Sequence, residues 1–382
     1  MKKIGIITIN DPINYGNRLQ NYAMQVFLEK LGYDVKTIPV EKYKEDYHIA
    51  IVKVKRRISG CLKRTFPKLW NLYKSENHKF MQLAVEKSEQ QMLEKRAENF
   101  CKFNSCYMKN HEYVIDGPEV PKSLVREFDY FVVGSDQIWN PQYGFGKYTT
   151  YLQFANKRQR IAIAPSFGIE TVPENHKKLI AKYLKRMQYV SVREESGKKI
   201  VKELTGLDCD IIMDPTLLVG VTEWERIVDK CTVNFPENYV LTYFLGEISE
   251  EREKYINDYA EKKHLQIIHM NHIGNQEIFS WGPELFLKAI KNCNYFFTDS
   301  FHGCVFSILF HKQFAVFYRK DSQANMFGRI ETLLAMVGLT RCVADEGEEL
   351  HENISETEYK NADDKLEKKR KEILVKLRQV LR

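Results

Sequence analysis

The chain has 382 residues, 43% of them hydrophobic, with 22 phenylalanines and 21 tyrosines; this is ample for buried cores, excludes a disordered protein, and by length points to two or three domains around a cleft. A net charge of +7 is modest for this size and does not by itself imply nucleic acid. No run reaches the ~18 apolar residues of a membrane span, and eight scattered cysteines without CxxC spacing speak for reduced thiols in a cytoplasmic protein, with no metal and no disulfides.

The first ten residues begin like a secretory leader, but the apolar run stops at Asn10-Asp11-Pro12, so Ile4 to Ile9 reads as a buried strand. A loop from Asn10 to Asn17 follows. Leu19, Ala23, Val26, Phe27 and Leu31 then recur at helical spacing up to Gly32, and Asp34 to Val40 is the next strand. In this strand-helix-strand start, Asn17 and Arg18 stand where a ligand would meet the helix N-terminus; a plain turn is the alternative.

From Tyr47 to Ser75 there is no acidic residue, while residues 53–74 accumulate lysines and arginines beside Val54, Ile58, Leu62, Phe66, Leu69 and Trp70. Such a basic amphipathic stretch suits the surface of an anionic membrane, or else it packs on the domain with its cations solvated. No nucleic-acid-binding motif accompanies it. The stretch belongs to a polar, helical excursion over about residues 45–110.

Tyr130 to Val133 returns to a buried strand, followed by Gly134 and then Ser135, Asp136, Gln137, Trp139 and Asn140. Hydrogen-bonding groups beside one flat apolar ring suit a hydroxyl-rich ligand such as a sugar; an aspartate cap with a packed tryptophan is the other reading. Ile161 to Pro165 is a strand, Pro173 to Gln188 a helix, and Tyr189 to Val192 a strand with Arg193 at its carboxyl end. An arginine there can clamp a carboxylate or phosphate, or pair with Glu194 or Asp214. Met213 to Leu218 closes the first half.

The second half repeats the alternation: strand Tyr239 to Leu245, helix Glu250 to Lys263, strand Gln266 to Met270, helix Glu284 to Asn292, and strand Tyr295 to Thr298. Asp299 or Ser300 then caps a buried helix, with His302 in its first turn, where an anion can sit against Ser300, His302 and Gly303. An ordinary capping box without ligand is the alternative. Strand Phe314 to Tyr318 ends at Arg319 and Lys320, helix Met326 to Val337 follows, and Leu366, Ile373, Leu374, Leu377 and Leu381 make one stripe that should dock. The expectation is an α/β, GT-B-like protein of two Rossmann-like domains, 1–215 and 216–382, facing a central cleft, with the C-terminal helix packing back.

Five segments in order, Asn14 to Gln20, Val133 to Pro141, Ser191 to Glu195, Asp214 to Leu218 and Thr298 to Gly303, give the chain its resemblance to the polysaccharide pyruvyl transferase family, over roughly residues 1–340. The resemblance implies transfer of the enolpyruvyl unit of phosphoenolpyruvate onto two hydroxyls of a surface or capsular polysaccharide sugar, closing a pyruvate ketal and releasing phosphate. It implies His302 and Arg193 as the catalytic pair. Ser300, Gly303, Arg319 and Lys320 then bind the donor, and Asn17, Arg18, Ser135, Asp136, Gln137 and Trp139 are substrate contacts. Histidine titrates near neutrality, which suits proton transfer to the donor carbon or to departing phosphate. Phosphoenolpyruvate is here a substrate, and the scheme calls for no cofactor.

One position departs from the family pattern. Ser300 stands where many members carry arginine, so Arg193 or Arg319 would supply the missing cation, unless the donor contacts differ in this branch. The first half, with its excursion, would take the acceptor, and the second half the donor. An acceptor held on a lipid carrier at the inner face of the membrane would give residues 53–74 a purpose. Two other readings stay open: a GT-B glycosyltransferase using a nucleotide sugar, and a non-catalytic sugar-binding protein of the same fold.

Overall fold

The computed structural model describes residues 1–9, 11–40, 78–116, 119–143, 147–271, 275–319, 327–344 and 353–382, with side chains from residue 90 onward in the helix that starts at His78. Lys320 and the basic stretch 53–74 lie outside the described residues.

Two parallel sheets organise the chain. The first carries β1 (Lys3–Ile7), β2 (Asp34–Thr37), β3 (Tyr130–Val133), β4 (Arg160–Ala162), β5 (Tyr189–Val192) and β6 (Asp210–Ile211) in the order β2-β1-β3-β4-β5-β6. The second carries β7 (Tyr239–Tyr243), β8 (Gln266–Met270), β9 (Tyr295–Thr298), β10 (Gln313–Phe317) and β11 (Val343–Ala344) in the order β11-β10-β9-β7-β8. Strands covered by helices on both faces must be apolar without interruption, as Tyr130-Phe-Val-Val133 and Tyr295-Phe-Phe-Thr298 are. Alternate side chains of β1 serve different cores: Ile4 and Ile6 pack with Leu19 and Leu28, and Ile7 packs with Phe131 and Val133.

Strand order decides where a site can form. In each sheet the order reverses between the first and third strands, at β1 and β3 and again at β7 and β9. Loops leaving the two strands diverge there, opening a crevice at the carboxyl ends. The two crevices face each other, which makes the architecture GT-B-like.

Apolar contact joins the halves. Tyr15 stacks on Phe286 with ring centroids 4.5 Å apart and donates its hydroxyl to the Trp281 carbonyl at 2.8 Å. Trp224 lies between Tyr22 and Phe306. Helix His78–Tyr107 also spans the halves: Arg96 Nη1 donates to Asn271 Oδ1 at 2.8 Å and Asn99 Nδ2 to the Ser280 carbonyl at 2.7 Å. The final helix, Glu356–Val380, buries Leu366, Ile373 and Leu377 and returns to the first sheet, where the Tyr33 and Tyr130 hydroxyls donate to the Leu381 and Arg382 carbonyls. Among the described residues no helix is long and apolar enough to cross a membrane.

Candidate active site

The loop after β1 is shorter than the sequence suggests. Asn14 Oδ1 accepts from the Asn17 backbone N–H at 3.0 Å, so the helix runs Tyr15–Lys30 and Gly16, Asn17 and Arg18 occupy its first turn. After β3 the backbone turns sharply. Gly134 has φ +132°, and a Cβ there would lie 2.0 Å from the Ile163 carbonyl oxygen, so only glycine lets β3 and β4 close up at this point. Asp136 follows with φ +54°.

This turn delivers the first part of the site. Asp136 accepts from the Asn17 side-chain amide and pairs with Arg193 Nη2 at 3.1 Å. Arg193 Nη1 donates to Asp214 Oδ2 at 2.6 Å, and its Nε faces Glu194 Oε2 at 3.9 Å without a hydrogen bond. Ser135 Oγ reaches Asp214 Oδ2 at 3.2 Å, while Asp214 Oδ1 accepts from the Thr216 N–H and hydroxyl. Arg193 is thus bracketed by carboxylates, and these are ion pairs removed from water. Burial works against ionised Asp136 and Asp214. The charges of Arg193 and His302, with Arg329 at Asp136 and the Thr216 donor at Asp214, overcome it and hold both carboxyls below the usual aspartate range. Glu194 goes the other way, burial pushing it up against the pull of Arg193, although Ser166 Oγ and the Phe167 N–H donate to it.

The second half supplies the histidine. β9 is followed by Asp299, whose carboxylate accepts from the Leu245 and Gly246 N–H groups at 2.7 Å each and pairs with Arg319 Nε at 3.1 Å. Ser300 is the cap of helix Phe301–Leu309, its hydroxyl accepting from the Gly303 N–H at 3.3 Å. His302 leaves the first turn and lies across the first turn of the opposite helix. A Cβ on Gly16 would fall 2.1 Å from His302 Nδ1. The His302 Nε2 is 3.7 Å from Asp214 Oδ2, and although the residue is only 7% exposed that nitrogen has no hydrogen-bond partner among the described residues. Such an orphan normally costs of order 1–3 kcal/mol, so it marks either strain or a place for a ligand atom.

His302, Arg193, Asp136, Ser135 and Asn17 therefore converge, as do the two switch points. Other residues singled out in the sequence stand elsewhere. Trp139 stacks on Tyr151 at 4.8 Å and donates Nε1 to the Thr150 carbonyl, which makes it a core residue and leaves no face for a sugar. Arg18 turns away to the Asp11 carbonyl at 3.2 Å, and burial lowers its pKa to about 10. Gly303 is small because Thr298 Oγ1 would sit 2.8 Å from a Cβ, and its N–H serves the cap. Arg319 is held by Asp299, at its carboxylate and at its carbonyl.

Arg329, which no sequence motif marks, enters the same cluster from helix Gly328–Val337. Nη1 lies 3.4 Å from Asp136 Oδ1, and the guanidinium carbon is 5.8 Å from the Phe301 ring, which Arg193 approaches to 4.5 Å. With the Gln137 amide turned so that its oxygen faces this guanidinium, it accepts from Nη1 at 3.2 Å and Nη2 at 3.1 Å. Charge and burial could have suggested Arg329 only once the helix was known to point inward.

The chemistry on offer is an imidazole nitrogen without a hydrogen-bond partner among the described residues, beside buried guanidinium groups and ionised carboxylates. The family model for polysaccharide pyruvyl transferase matches residues 14–322, which includes all of these groups except Arg329. Solved structures similar in outline include the UDP-GlcNAc 2-epimerase of Methanocaldococcus jannaschii in complex with UDP-GlcNAc and UDP, 14% identical over 95% of this chain and 99% of that chain at a TM-score of 0.45. The UDP-GlcNAc 2-epimerase of Neisseria meningitidis bound to UDP-GlcNAc is 11% identical over 97% and 94%, at a TM-score of 0.44. No curated protein matches the sequence.

Proposed function

The chain belongs to the polysaccharide pyruvyl transferase family, and from that premise we propose that it transfers the enolpyruvyl group of phosphoenolpyruvate to a saccharide acceptor, forming a pyruvate ketal and releasing phosphate. The observation that carries this reading is the buried Nε2 of His302, without a hydrogen-bond partner among the described residues and 3.7 Å from the Asp214 carboxylate. In the proposed reaction His302 moves the proton to C3 of the donor, and positive charge develops at C2. One sugar oxygen bonds to C2, the C2–O bond to phosphate breaks, and a second sugar oxygen closes the ring. Of the two hydroxyl protons, one balances that gained at C3 and the other leaves with phosphate.

Asp214 lies where it can steady a protonated imidazole, and Arg193 fixes Asp214 and Asp136 in place. Asp136, with Asn17 and Ser135 beside it, is on the side of the first half, which we assign to the acceptor. The acceptor is a sugar of a surface polysaccharide or its lipid-linked precursor.

The test is phosphate release from phosphoenolpyruvate in the presence of galactosyl or mannosyl acceptors. His302→Ala should lower the rate by ~10²–10⁴-fold while leaving the circular dichroism spectrum intact. Consumption of a UDP-sugar with no phosphate release from any acceptor would replace this reading with glycosyl transfer, and silence in both assays would leave a binding protein.

A further inference from the structure

We infer that Glu194 is a positioning residue for the reaction: it fastens the turn at residues 166–168 beneath the site, and that turn holds Asp136 and Gln137 on the acceptor side. The inference rests on the acceptor assignment above. Glu194 follows Arg193 in the loop after β5 and is 1% exposed. Its Oε1 gathers three donors from one turn: the Ser166 hydroxyl at 2.8 Å, the Phe167 N–H at 3.0 Å and the Gly168 N–H at 3.5 Å. Ser166 and Phe167 are wholly buried, and backbone donors removed from water must find an acceptor, which here is this one oxygen.

The turn meets the site on its other side. The Ser166 N–H donates to the Asp136 carbonyl at 2.7 Å, and the Ser166 carbonyl accepts from the Trp139 N–H at 3.2 Å. Asp136 has φ +54°, a left-handed conformation that persists in a non-glycine residue only where the surroundings impose it. Gly168, with φ +62°, leaves the room that Gln137 fills, since a Cβ there would fall 2.2 Å from the Gln137 amide. Hydrogen bonds therefore run from Glu194 through the turn to the backbone of Asp136, whose carboxylate meets Asn17 and Arg193. The remaining oxygen shows that charge pairing is not the task of Glu194. Its Oε2 has no hydrogen-bond partner among the described residues, nor has Arg193 Nε, 3.9 Å away. A carboxylate that served Arg193 would close that gap, as Asp136 and Asp214 do at 3.1 and 2.6 Å. Burial pushes the Glu194 carboxyl up, in keeping with a group valued as an acceptor.

The experiment measures phosphate release from phosphoenolpyruvate by the full chain at varied galactosyl or mannosyl acceptor, in wild type, Glu194→Ala, Glu194→Gln and Ser166→Ala. Thermal protection by phosphoenolpyruvate and amide exchange over residues 166–168 are read alongside. Glu194→Ala should raise the acceptor KM on the order of 10-fold and quicken exchange by as much, with phosphoenolpyruvate protection unchanged. Glu194→Gln keeps the accepting oxygen without the charge and should stay within about threefold of wild type in all three readings. Ser166→Ala removes one donor of three and should show the alanine pattern in weaker form, so it decides if Glu194→Ala does not fold. A glutamine variant that loses turnover or its fold overturns the inference, because charge would then be what matters. An unchanged acceptor KM in whichever alanine variants fold overturns it also, as does a loss of phosphoenolpyruvate protection equal to the rise in acceptor KM. A wild type that releases no phosphate with any acceptor sinks the transfer reading instead, and unchanged exchange in the alanine variants separately sinks the hold of Glu194 on the turn.

Discussion

The two switch points share one strand order and carry opposite chemistry. At β1 and β3 the loops present Asn17 and Asp136, and Asp136 is tied through Arg193, which follows β5, to Asp214, which follows β6. At β7 and β9 the carboxylate Asp299 is spent on Arg319 and two backbone N–H groups, and the projecting group is His302. The first crevice is a rigid, internally compensated charge lattice; the second lends a reactive side chain to it. Neither half contains a working site alone. A site built this way depends on the apposition of the two halves, since His302 and the Asp136–Arg193–Asp214 cluster come from different sheets.

The contrast can be broken from the rigid side first. Asp214→Ala removes the partner of a fully buried guanidinium and should cost ~3–5 kcal/mol of stability, measured as a shift in the urea midpoint. A loss under ~1 kcal/mol would mean that the lattice is not the strut described here.

Gly16→Ala tests the meeting of the halves. Alanine in place of helical glycine ordinarily adds ~0.5–1 kcal/mol, yet here the methyl group would occupy the place of the His302 ring. Phosphate release should therefore fall on the order of 10²-fold with little loss of melting temperature. An active alanine variant would show that His302 need not rest on that helix.

The smallest effect is acidic. Folding keeps Asp136 and Asp214 more firmly deprotonated than the unfolded chain does, so the unfolded chain binds protons first as pH falls. Their contribution is complete above about pH 4 and drains away beneath it, so the urea midpoint should drop there and drop less in Asp214→Ala. Parallel profiles for the two proteins would exclude the aspartates as the source.

Much of the fold is legible because parallel strands between helices are uninterrupted apolar runs, as at Tyr130 to Val133 and Tyr295 to Thr298. The family motifs likewise mark Asn17, Asp136, Arg193 and His302. Other features escape for specific physical reasons. The helix at Tyr15 starts inside what reads as loop because its cap is a single side-chain bond from Asn14. Trp139 passes for a ligand platform because its stacking partner, Tyr151, belongs to a separate turn. Arg329 is one arginine on an otherwise ordinary amphipathic helix, and nothing local says that it faces the cluster.

Helix His78–Tyr107 touches the second half through Arg96 and Asn99 while its residues Phe100 and Phe103 sit in the core that reaches β1. It therefore braces the two halves against each other, by hydrogen bonds to one and by ring packing into the core of the other.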